Sequence, residues 1–107
     1  MPSKQTTKPC SIWFVYLIRT RLNALYCGIT TDVFRRYAQH CQGTGAKSLK
    51  GKTPLILEWY QTIGKSRSMA SKYEYRIKKL SKSQKEQLIS GAVLLDDIID
   101  IEEGPVS

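Results

Sequence analysis

The chain has 107 residues, 41% of them apolar, which suits one domain with a real core and leaves little for a second. Its formal charge is +8, and all 17 Lys and Arg fall within residues 1–90, against four acids there: Asp32, Glu58, Glu74 and Glu86. No run approaches the roughly 18 apolar residues of a membrane span, and MPSKQTTKPC lacks the apolar core of a signal peptide. The three cysteines (Cys10, Cys27, Cys41) have no CxxC or CxxH spacing, so neither a disulfide framework nor a zinc site is expected. These features lead to the expectation of a cytoplasmic protein with reduced thiols and no membrane contact. A body this basic implies a polyanionic partner, nucleic acid first among them.

Residues 1–11 contain Pro2 and Pro9 without periodicity and are expected to be a flexible lead-in. Residues 12–19 (IWFVYLIR) are nearly all apolar and rich in β-formers, which predicts a central strand covered on both faces. TRLNA over 20–24 supplies turn chemistry through Asn23, and LYCGI over 25–29 forms the antiparallel return strand. Cross-strand partners share a face, so Tyr16 and Tyr26 face the same way only across a loop with an odd residue count. A loop of three or five residues is expected.

Thr31 is the expected N-cap of a helix from about Asp32 to Cys41, with Val33, Phe34, Tyr37 and Ala38 forming its apolar stripe. On this helix Arg36 shares a face with His40, and Arg35 with Gln39. Residues 42–53 (QGTGAKSLKGKT) form a Gly- and Lys-rich loop with one helical turn near Ala46–Leu49. The loop comes close to a nucleotide-binding P-loop, but Ala46 stands where the first glycine is required and no helix follows Thr53. Its lysines (Lys47, Lys50, Lys52), with Lys65, are better suited to backbone phosphates.

Residues 54–60 (PLILEWY) alternate Leu55, Leu57, Trp59 against Ile56, Glu58, Tyr60, a third strand. A turn over Gly64–Ser68 follows, with Ser66 or Ser68 capping a helix to about Leu80. Met69, Ala70, Tyr73, Ile77 and Leu80 form its buried stripe, and Glu74 lies at the stripe's edge. Ser81 caps a short helix over Lys82–Ile89 that Gly91 ends. Residues 91–107 hold five acids and no base, an acidic tail that either packs on the domain or stays mobile. The element order predicts an α+β fold, a small, mainly antiparallel three-stranded sheet flanked by helices, over residues 12–90.

Phosphodiester hydrolysis needs an oriented water or base, a cation on the scissile phosphate and help for the leaving oxygen. With Asp32 at a helix start and Glu86 on a late surface helix, the candidate metal ligands reduce to Glu74 and Glu58. A lone carboxylate suits a largely hydrated Mg²⁺ that also binds substrate phosphate. Taken singly, each residue has a plain structural use: the tyrosines as core, His40 as a dipole partner, Glu74 in an i,i+4 pair with Lys78.

Taken in order, they resemble a known family. Val15-Tyr16-Leu17 and Tyr26-Cys27-Gly28 are similar to the paired signature of the GIY-YIG nuclease superfamily. The likeness continues through Thr30-Thr31-Asp32, Arg36 and His40 to Glu74, and is greatest to small stand-alone bacterial members. The resemblance implies a nuclease cutting DNA with one divalent ion, Mg²⁺ or Mn²⁺, possible service in repair or recombination, and recognition of DNA structure instead of sequence. It implies that Tyr16 orients or deprotonates the water, Tyr26 supports that water or the phosphate, and Arg36 binds the scissile phosphate. His40 would assist proton transfer or positioning, and Glu74 would hold the metal. Arg35, Lys47, Lys50, Lys52 and Lys78 are the expected contacts to the rest of the nucleic acid. The first triplet is FVY, without the family's glycine, and Ile29 stands where some relatives carry lysine. The competing reading is a nucleic-acid-binding module that kept the fold and lost turnover.

Overall fold

The computed structural model describes residues 11–99. Of the expected lead-in only Ser11 falls within that range; Cys10, Asp100, Glu102 and Glu103 lie outside it. Three strands form an antiparallel sheet of order β2-β1-β3: β1 is Trp13–Arg19, β2 Leu25–Thr30 and β3 Ile56–Gly64. Four helices accompany it: α1 Val33–Gln42, α2 Arg67–Lys78, α3 Lys82–Ser90 and the short α4 Leu95–Ile98. A 3₁₀ turn over Lys47–Leu49 supplies the expected helical turn of the basic loop. The α+β reading is correct. None of the helices among the described residues is long and apolar enough to cross a membrane.

β1 is the central strand because both of its faces are apolar, and the period of two splits them. Val15 and Leu17 point into one layer with Cys27, Ile77 and Leu88; Tyr16 and Ile18 point into the other with Leu49 and Leu55. The first layer is closed by α2 and α3 and completed by Leu95 and Ile99. These two residues come from the start of the acidic segment, whose described part therefore packs on the domain. Each fully buried aliphatic side chain of this layer contributes about 1.5–3 kcal/mol.

The hairpin loop has five residues, since Arg19 pairs with Leu25, and Asn23 adopts φ 68° within it. The odd count puts Tyr26, the partner of Ile18, on the same face as Tyr16. The pairing with β3 departs from simple alternation. Leu17 pairs with Trp59 but Ile18 with Leu57, so Glu58 is the extra residue of a β-bulge. Leu57 and Trp59, expected on one face, consequently lie in different layers. β3 also runs to Gly64, past the expected end at Tyr60, because Gly64 pairs with Trp13.

Further corrections concern side chains. The cap of α1 is Asp32, not Thr31: its carboxylate accepts from Arg35 N at 3.2 Å. The stripe of α1 facing the sheet is Val33, Tyr37 and His40, at i, i+4 and i+7. Phe34 and Ala38 are exposed; Phe34 instead packs edge-on against Tyr60, ring centroids 5.7 Å apart. Glu86 is no idle surface acid. Arg19 donates to Glu58 at 2.6 Å and to both oxygens of Glu86 at 2.7 and 2.8 Å, tying β1, β3 and α3 together. Arg19 first, then Lys82, holds the Glu86 carboxyl at about 2, below the usual range. Ser66 and Ser81 cap α2 and α3 as expected, and Gly91 ends α3 in the left-handed region.

Candidate active site

The site is built on the face of the sheet that looks toward α1. Tyr16 lies in the middle of the central strand and is 2% exposed. Its ring can lie flat over β2 only because its cross-strand partner is Gly28. A Cβ there would overlap the Tyr16 hydroxyl and sit 2.6 Å from Cζ. Tyr26 stands beside it, ring centroids 6.3 Å apart. From α1, His40 closes the group: it is 1% exposed, and Nε2 lies 2.8 Å from the Tyr16 hydroxyl. Its ring centroid is 5.5 Å from that of Tyr26. Tyr37, one turn earlier, donates to the Leu55 carbonyl at 2.6 Å and fastens α1 to the start of β3.

Burial dominates the electrostatics. It pushes the Tyr16 phenol well above its ordinary value near 10, with Tyr26 adding to the rise; the Arg36 guanidinium facing that oxygen opposes it. Burial, then the charge of Arg36, lowers His40 to about 4, so the ring is neutral at pH 7. Arg36 donates to Gln39 Oε1 at 2.9 Å, so the glutamine expected beside Arg35 in fact steadies Arg36. Among the described residues every buried side-chain nitrogen and oxygen has a hydrogen-bond partner.

Beyond Arg36 the site opens into a cavity of about 350 Å³ lined by Arg35, Arg36, Arg67, Trp13, Thr31 and Asp32, among others. Arg67 lies over the Trp13 ring, 5.5 Å from its centroid. Neither Arg67 nor Trp13 was singled out from the sequence. Their meeting depends on the β1–β3 register, which seats the start of α2 beside the start of β1, and no local pattern carries it. Three guanidiniums around one opening make a natural seat for phosphate.

Glu74 stands on α2, behind β2, half-buried and 3.1 Å from Lys78. Its charge is felt by Cys27, whose thiol burial pushes up to about 12 with Glu74 adding to the rise. Glu58 and Glu86 are both engaged by Arg19, Asp32 caps α1, and Glu74 is paired with Lys78. No group of three or more His, Cys, Asp or Glu gathers among the described residues. Such a donor set fits a largely hydrated Mg²⁺ or Mn²⁺ shared with substrate phosphate, not an all-protein cage. Of the expected phosphate contacts, Lys47 and Lys50 are exposed on the loop, Lys52 is half-buried, and Lys78 is exposed beside Glu74.

Residues 12–87 match the family described as the GIY-YIG catalytic domain. The chain belongs to the GIY-YIG family. A UPF0213 protein of Vibrio cholerae is 59% identical over 88 residues, 82% of this chain and 87% of that one. UPF0213 protein YhbQ of Salmonella arizonae is 50% identical over 94 residues, 88% of this chain and 93% of that one. The solution NMR structure of a UPF0213 protein from Bacillus halodurans is 38% identical, covers 74% of this chain and 83% of its own, and aligns with a TM-score of 0.47. The GIY-YIG triplets of this chain are thus the neighbouring strands β1 and β2. Tyr16 of the first triplet and Gly28 of the second face each other across the ladder. GIY-YIG membership supports a nuclease-type activity, a divalent metal requirement and DNA as the substrate class.

Proposed function

We propose that the protein is a DNA endonuclease that uses one Mg²⁺ or Mn²⁺ held by Glu74, serving repair or recombination in the cytoplasm. The observation that carries this reading is the cluster of buried Tyr16 and His40 with the half-buried Tyr26 and with Arg36 beside it. A phenol held at 2.8 Å from an imidazole, next to a fixed cation, is suited to handle the proton of an attacking water. Arg36 binds the scissile phosphate and stabilises the phenolate of Tyr16. Tyr26 keeps the water beside Tyr16. Bound at Glu74, the ion would supply positive charge to the leaving oxygen. Lys78 must then give up its contact with Glu74, and its ammonium is free to take a neighbouring phosphate.

Arg35, Arg67 and the loop lysines touch the sugar–phosphate backbone and carry no base code. Recognition therefore follows the shape of the DNA and not its sequence. Binding should weaken steeply with salt. The test is cleavage of labelled branched, nicked and single-stranded DNA with Mg²⁺ or Mn²⁺, wild type beside Glu74→Ala and Arg36→Ala. Metal-dependent cutting lost in both variants, with folding intact, is the expected result. Salt-sensitive binding without cutting, indifferent to metal and to Glu74→Ala, would replace this reading with that of a binding module.

A further inference from the structure

His40 is the only histidine of the chain, and both of its ring nitrogens are occupied. Nε2 meets the Tyr16 hydroxyl at 2.8 Å, and Nδ1 accepts from the backbone N–H of Ala46 at 3.1 Å. A backbone amide can only donate, so Nδ1 must be the bare nitrogen. A neutral imidazole then carries its single proton on Nε2. The other tautomer, and the imidazolium, would each set two N–H groups against one another in a site closed to water. The direction of the Tyr16 bond follows: Nε2–H donates and the phenol oxygen accepts.

The amide of Ala46 reaches the ring because of how α1 ends. Gly43 caps the helix with φ 84°, and Thr44 N returns to Gln39 O at 3.0 Å, so the chain doubles back over the last turn. Gly45 then passes directly over the imidazole. A Cβ at this position would overlap Nδ1, lie 2.9 Å from Cε1 and 3.0 Å from the His40 Cα. No side chain fits there while the ring stays in place. Farther along, the loop is fastened by Leu49, 1% exposed. Arg21 adds bonds to the carbonyls of Gly51 and Thr53, each at 3.2 Å.

We propose that Gly45 and Ala46 are positioning residues that lock His40 in one tautomer, making it a permanent hydrogen-bond donor to Tyr16 and not the base that takes the Tyr16 proton. The consequence for cleavage rests on the nuclease reading above; the tautomer itself does not. With Nε2 already protonated, a proton leaving Tyr16 passes to a water outside the Tyr16–His40 pair. The phenolate left behind keeps the same Nε2–H as its partner. His40 thereby offsets part of the cost of a buried phenolate without changing its own protonation state.

The test begins with the wild-type protein. A single histidine gives a single imidazole in long-range ¹H–¹⁵N correlation spectra, so the tautomer is read without ambiguity near neutral pH. The expected spectrum has one protonated nitrogen, Nε2, and one bare nitrogen, Nδ1. A ring protonated at Nδ1, or at both nitrogens, overturns the proposal whether or not any DNA is cut. The second arm is Gly45→Ala, with folding checked by amide dispersion. In a folded variant the tautomers are expected to mix and the single-turnover cleavage rate to fall about 100-fold, with DNA affinity retained, a loss typical of removing one preorganised donor. A folded Gly45→Ala protein with a displaced tautomer and wild-type cleavage overturns the positioning role. If wild type cuts no DNA, the nuclease reading fails while the spectrum still decides the lock.

Discussion

The two faces of the sheet are built from the same strand and do different work. On the side of α2 and α3, Val15 and Leu17 meet Cys27, Ile77, Leu88, Leu95 and Ile99, a layer of hydrocarbon and one thiol. On the side of α1, the alternate residues Tyr16 and Ile18 meet Tyr26, Tyr37, Leu49 and Leu55, with the His40 ring closed over Tyr16. A hydrocarbon layer can be packed tightly at no polar cost, and so it carries stability. A layer holding a buried phenol and imidazole survives only if each of their polar atoms is paired, and that pairing fixes where each group points. The site is therefore half core, with its polar atoms fixed in direction by their partners.

The largest effect that would separate the faces is Tyr16→Phe. Cleavage by this variant is expected to fall about 10²–10⁴-fold, the range for removing a general acid–base group, in single-turnover assays. It also leaves Nε2–H of His40 without its partner, so urea unfolding should register a loss of about 1–3 kcal/mol. Ile77→Ala addresses the opposite face. Truncating this fully buried side chain should cost about 2–5 kcal/mol in urea unfolding while cleavage per folded molecule stays at the wild-type level. If Ile77→Ala lowers the cleavage rate of the folded protein as much as its stability, the division of labour between the faces is wrong.

Gly28→Ala probes the boundary, because its Cβ would press on the Tyr16 ring. Overpacking of this kind costs about 1–3 kcal/mol, and unlike Ile77→Ala it should reduce cleavage as well. A milder distinction comes from pH. Burial holds His40 at about 4 in the folded protein, below its ordinary 6.5, so the unfolded chain binds the extra proton first. This contribution to stability is complete above pH 6.5 and is lost as pH falls to about 4. Urea midpoints should decline over that window in wild type, and less steeply in His40→Gln. The smallest change is expected from Lys50→Ala on the exposed loop. DNA binding should weaken to a similar degree on all sequences, with the salt slope shallower by about one, read from binding isotherms at several salt concentrations.

Much of this division could be read before the fold. The period of two in WFVYLIR places Tyr16 and Val15 on opposite faces of a central strand whatever packs on them. Ser66, Ser81 and Gly91 punctuate the helices by local chemistry, since caps act within one turn. The pairing of Tyr16 with Tyr26 follows from an odd loop count and that of Arg36 with His40 from an i,i+4 spacing, while the joining of the two pairs in one site is implied by the family resemblance. For the α1 stripe, hydrophobicity alone favours Phe34, whereas the structure buries His40 and exposes Phe34. A polar ring with two hydrogen-bond partners is buried as readily as an aromatic one.

The sequence by itself determined the element order and the faces of β1, because each depends on neighbours within a few positions along the chain; the ordered set of candidate site residues came from the resemblance to the GIY-YIG family. Only the tertiary structure decided the rest: the bulge at Glu58, the engagement of Glu58 and Glu86 by Arg19, the place of Arg67 over Trp13, and the amide of Ala46 against His40. The first three depend on contacts between segments far apart in the chain. The last depends on a loop folding back at Gly43. A glycine such as Gly45 looks in the sequence like loop flexibility. Its function is set by what lies within van der Waals distance of a side chain it does not have.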